Sequence, residues 1–158
     1  MKPTNSSTIA APAAQLERFL ARYASEVVAV AKASLAKIRK RLPGAVQLVY
    51  DNYNALVIAF GPSERASELI LSIALYPRWV TLFFARGAAL PDPEKLLKGS
   101  GTTIRHLVLG SARDLDKPAV RALITHAVDR SKPLDPKGRG RLVIKSVSAK
   151  QRPRRPPA

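Results

Sequence analysis

The residues best suited to chemistry fall into four groups. Leu97-Lys98-Gly99-Ser100-Gly101-Thr102-Thr103 is glycine-rich and flanked by Lys98 and Arg105, and such a loop can aim successive backbone N–H groups at an anion. It lacks the Gly-Lys-Ser/Thr ending of a phosphate-binding P-loop, and a connector into a strand needs the same residue types. His106 follows among aliphatics, with Ile104 and Val108 on its own strand face and Arg105 on the opposite one. Tyr50, Tyr53, Tyr76, Trp79, Phe83 and Phe84 gather in one stretch. They can line a pocket with phenol and indole donors at its rim, or supply the core of a small sheet. Trp79 and Phe83 share a strand face and Phe84 takes the other, so only part of the set meets one cavity. The fourth group is cationic: Lys150, Arg152, Arg154 and Arg155 lie among prolines at the end of the chain. Arginines there can pair with phosphates while the prolines keep the strand extended.

Catalysis has no comparable signature. His106 and His126 stand 20 residues apart without a ligand spacing, no cysteine is present to pair with them, and neither a nucleophile elbow nor a carboxylate pair appears. The residues point to no enzyme, no metal site and no cofactor.

Charge sharpens the picture. The 158 residues carry 27 Lys and Arg against 11 Asp and Glu. Residues 1–43 hold eight bases and two acids, residues 137–158 hold eight bases and no acid, and the stretch between is nearly neutral. Basicity therefore belongs to the ends, where it can attract nucleic acid by releasing counterions or simply keep the chain solvated. No apolar run approaches the ~20 residues of a membrane-spanning helix, the first residues do not resemble a secretory signal, and the lack of cysteine suits a reducing compartment. A cytoplasmic location is expected.

The elements that must position these groups follow from periodicity. Residues 1–12 read as a disordered leader. Leu16, Phe19, Leu20, Tyr23, Val27, Val30, Leu35, Ile38 and Leu42 form one stripe of helical spacing, so a single long helix is expected up to Pro43-Gly44, which ends it. Alternation then takes over. Strands are expected at Val46–Tyr50, Ala55–Phe60, Glu68–Leu75, Trp79–Ala85 and Ile104–Leu109, joined by short antiparallel connections. A second helix starts near Lys117, with Asp116 as its cap and Pro118 in its first turn. Arg141–Val147 can add an edge strand. The expected fold is α+β, an antiparallel sheet of about five strands with a long N-terminal helix and a C-terminal helix packed on it. That domain spans 13–147, and 148–158 is expected to be a disordered basic tail.

The run Leu42-Pro43-Gly44-Ala45-Val46-Gln47-Leu48-Val49-Tyr50-Asp51-Asn52-Tyr53-Asn54 resembles the YdhG-like family of small bacterial proteins, mostly of unknown function. The resemblance continues through Ala74–Val80 and Leu97–His106 and covers roughly residues 15–131. It implies an α+β domain with an antiparallel sheet. Because some members resemble frataxin and are described as iron chaperones, it also implies iron as a cargo. Iron of that kind needs oxygen or imidazole ligands, and here the acids are scattered, with only Glu17 and Glu26 on the first helix.

The sequence thus leads to a non-enzymatic module binding a small ligand or partner at the sheet surface, through Tyr50, Tyr53, Arg78, Lys98, Ser100, Arg105 and His106. One alternative is weak nucleic-acid association through Lys150, Arg152, Arg154 and Arg155. The other, by resemblance alone, is iron delivery.

Overall fold

A computed structural model describes residues 11–138 and 140–157; most of the expected leader lies outside them. Helices α1 (Pro12–Leu20) and α2 (Ser25–Arg41) precede strands β1 (Val46–Asp51), β2 (Leu56–Gly61), β3 (Leu71–Leu75), β4 (Val80–Phe84) and β5 (Arg105–Leu109), then helix α3 (Pro118–Asp129) and strand β6 (Leu142–Val147). The strands form one sheet in the order β5-β4-β3-β2-β1-β6. Among the described residues no helix is long and apolar enough to cross a membrane.

Strand alternation separates two faces. Val49, Leu56, Ile58, Phe60, Leu71, Ile73, Leu75, Val80, Leu82 and Phe84 point toward the helices and form the main core with Leu35, Ile38, Val120, Leu123 and Ile124. The opposite face is only partly covered. There Leu69 and Val143 pack against Val46, Leu48 and Ala59, and on the central strands Val57, Ser72 and Phe83 remain partly exposed.

Four expectations are corrected. The single N-terminal helix is two, interrupted at residues 21–24. Its stripe is continuous because Tyr23 is buried like its neighbours, but the chain turns there so that the Tyr23 hydroxyl can donate to Leu75 O and accept from Leu56 N–H, both at 3.1 Å. Two carbonyls freed by the break, those of Ala21 and Arg22, accept from the Arg155 guanidinium.

The sheet is mixed and six-stranded. Arg141–Val147 does contribute an edge strand, but it runs parallel to β1, because α3 and the segment after it carry the chain back to the end of the sheet where β1 begins. The second helix lacks its expected cap. Its N-cap is Lys117 without a side-chain bond, while Asp116 closes a preceding 3-10 turn and accepts from Lys37 Nζ at 2.8 Å.

The fourth correction concerns the tail. Residues 148–157 lie against the body of the domain. Ser148 N–H donates to Asp51 O at 2.9 Å and Arg152 N–H to Tyr53 O at 2.9 Å. Arg154 is buried, with its guanidinium on the Asp51 carboxylate and over the Tyr23 ring. Composition marks this segment as polar and flexible, but one buried ion pair and a row of backbone bonds hold it down.

Candidate functional site

On the uncovered face, cross-strand register places side chains in rows. One row runs Leu48, Ala59, Ser72, Phe83, His106 across five strands, and the next runs Tyr50, Val57, Ala74, Thr81, Val108. The central members are small (Ala59, Ser72, Ala74) and the flanking ones large (Tyr50, Phe83). A sheet face with small residues between aromatics is concave, and the result is a trough of about 620 Å³. Val57, Ala59 and Ser72 make its floor, and Tyr50, Tyr76, Phe83 and Ile104 rise around it. The turn carrying Ala66, Ser67 and Leu69 closes one end, with Arg86 and Thr103 at the rim.

The lining is mostly apolar, with a few polar groups from different elements: the Tyr50 and Tyr76 hydroxyls, Ser72, Thr103 and the Arg86 guanidinium. Burial pushes the Tyr76 phenol above its ordinary value, so it stays a neutral donor. Arg86 Nη2 donates to Ser67 O at 2.7 Å, a carbonyl contact that holds the guanidinium in place without neutralising it.

The residues singled out in the sequence are divided among several places. Tyr50 lines the trough. His106 lies on the same face, tilted against Phe83 with ring centroids 5.4 Å apart. Arg105 takes the helix side of β5, and its Nη1 donates to the carbonyls of Gly101 and Ile104 at 2.6 and 2.8 Å. The glycine-rich loop thereby closes on its own arginine. Lys98 and Ser100 are exposed, and Lys98 extends the sheet by exchanging backbone bonds with His106.

Tyr53 is half exposed beneath the Arg152 guanidinium, which sits 5.9 Å from its ring centroid. Arg78 belongs to a second depression of about 640 Å³ between the β3–β4 turn and the C-terminal segment, with Tyr76, Trp79, Arg152 and Arg155. Lys150 is exposed. Of the four tail cations, Arg154 is not available to a ligand, because Asp51 holds it inside the domain.

Sequence reasoning missed the floor of the trough. Val57, Ala59 and Ser72 draw no attention singly; their alignment across β2 and β3 was the usable signal, and it needs the strand register.

Most carboxylates are engaged by bases. Glu17 pairs with Lys32, Glu64 with Arg141, Glu68 with Lys132, Asp114 with Lys117 and Asp116 with Lys37, besides Asp51 with Arg154. Among the described residues no three His, Asp or Glu side chains are grouped as metal ligands would be.

The chain matches no family model, no curated protein and no solved structure.

Proposed function

We propose that this protein is a non-catalytic binding module of the YdhG-like type whose uncovered sheet face takes a flat, mainly apolar small ligand carrying one anionic group. The observation that carries this is the trough itself. Its volume of about 620 Å³ falls in the roughly 300–1,000 Å³ range of small-molecule sites, which are mostly apolar with a few placed polar groups. Small floor residues between Tyr50 and Phe83 leave room for a planar group, and Arg86 at the rim supplies the charge for an anionic substituent.

The test uses 1-anilinonaphthalene-8-sulfonate, a flat aromatic anion. Its fluorescence is expected to rise saturably with the folded protein, and to do so far less with Ser72→Leu, which fills the floor. Arg86→Ala is expected to weaken binding about fivefold, on the scale of a charged hydrogen bond at a partly exposed site. Equal enhancement with Ser72→Leu, in a variant whose thermal unfolding matches the parent, overturns the proposal.

A further inference from the structure

Beyond the sheet face, the depression beside the C-terminal segment has a different chemistry. Its walls are Tyr76, Pro77, Arg78 and Trp79 on one side and Arg152, Pro153 and Arg155 on the other. Trp79 is 46% exposed and stacked on Tyr76, with ring centroids 5.7 Å apart and an interplanar angle of 29°. A large indole held flat at the surface by a second ring leaves one π-face open.

The cations around it are not all equivalent. Arg78 is exposed and makes no ion pair among the described residues. Arg152 rests on Tyr53 and likewise has no carboxylate partner among them. Arg155 binds the Ala21 and Arg22 carbonyls and lies close enough to Glu26 to help hold its carboxyl below the ordinary value, after the larger effect of the Ser25 hydroxyl. Among the described residues no acidic side chain lines the groove.

We infer that this groove binds single-stranded nucleic acid, stacking a base on Trp79 while Arg78 and Arg152 take the flanking phosphates. Cations alone would suit any polyanion, but an open indole beside them matches the combination of stacking platform and basic groove that single strands use. A duplex keeps its base faces inside and cannot use the indole. The volume of about 640 Å³ is that of one compact ligand site, so the groove grips a short stretch of strand. The C-terminal segment thus contributes a folded wall that depends on Arg154 being held in place.

Trp79 is the only tryptophan of the chain, so its fluorescence reports on this groove and nowhere else. With the full-length protein and a dT12 oligonucleotide at low salt, saturable quenching is expected. The slope of log K against log salt is expected to be about −1.4 for the two phosphate contacts of Arg78 and Arg152. Arg78→Ala/Arg152→Ala should weaken binding at least tenfold and flatten the slope by about 1.4. Trp79→Leu, followed by anisotropy of labelled oligonucleotide, should weaken binding about tenfold and leave the slope alone. Neither variant alters a buried side chain, so both should unfold thermally like the parent.

No binding, binding without quenching, or an affinity unchanged in the double-arginine variant overturns the assignment. So does equal quenching by a poly-glutamate peptide or by a duplex of the same length, which would mean a site for anions in general. Tyr76, on which Trp79 stacks, lines both sites, so the separation rests on Arg78→Ala/Arg152→Ala, which leaves every residue lining the trough in place. Naphthalene sulfonate binding should be unchanged in that variant while oligonucleotide binding falls, and the two proposals fail separately.

Discussion

Asp51 and Arg154, 103 residues apart in the chain, meet at 2.9 Å with both side chains 2% exposed. The carboxylate stands at the end of β1 and also accepts from Gln151 Nε2 at 2.9 Å, with the Arg22 guanidinium 3.7 Å away. The arginine donates in turn to the carbonyls of Asn52 and Tyr53. One buried pair thus ties the β1–β2 turn, the break between α1 and α2, and the C-terminal segment into a single corner.

Removing one partner should expose the cost of a buried, uncompensated charge. Arg154→Met is expected to destabilise the fold by about 3–5 kcal/mol, lowering the thermal midpoint by roughly 10 °C at this chain length. Asp51→Leu in the Arg154→Met background should recover much of that loss, since a buried ion pair replaced by apolar groups is often close to neutral. Thermal unfolding of the two singles and the double gives the coupling. Purely additive losses would show that the pair does not act as a unit. Deleting residues 148–158 has the same structural consequence and so cannot isolate a binding role for the tail.

Tyr23 gives the same corner a pH signature. Burial pushes its phenol above the ordinary value of 10.0, against the pull of the Arg154 charge. A group whose pKa is raised by folding contributes stability that is complete below its unfolded pKa and is lost as pH climbs through the folded one. Tyr23→Phe leaves Leu56 N–H without its partner and is expected to cost about 1–3 kcal/mol at pH 8. That gap should narrow as pH rises above about 10, because only the parent has this phenol to ionise. Thermal unfolding of both proteins from pH 8 to pH 11 measures it, and a constant gap would contradict the assignment.

Two glycines that look alike in the sequence should respond differently to alanine. Gly44 has φ +80°, and a Cβ there would sit 1.8 Å from Asp135 O. Gly44→Ala therefore combines a left-handed backbone, about 1–2 kcal/mol, with displacement of the 135–138 turn. Gly101 has nothing within 4 Å of an added Cβ, and Gly101→Ala should stay within about 0.5 kcal/mol of the parent. Chemical denaturation of the pair checks the contrast; similar losses would mean that the close approach at Gly44 carries no energy.

Local pattern alone determined the α+β character, five of the strands to within a few residues, the stop at Pro43-Gly44 and the main core, because period and turn chemistry act over neighbouring residues. It also placed Phe83 and Phe84 on opposite faces of β4. Four matters were decided only in three dimensions. Ala21–Ala24 is as helix-compatible as its surroundings, yet the chain turns there to bring Tyr23 under the ends of β2 and β3. The direction of β6 depends on where α3 returns the chain. Alternation assigns a face but not a neighbour, so the alignment of Val57, Ala59 and Ser72 into a trough emerges only with register. The tail's charge could be counted in the sequence but not apportioned. Whether an arginine faces solvent or a carboxylate depends on a partner a hundred residues away, and Asp51 takes Arg154 inward while Arg152 remains at the surface.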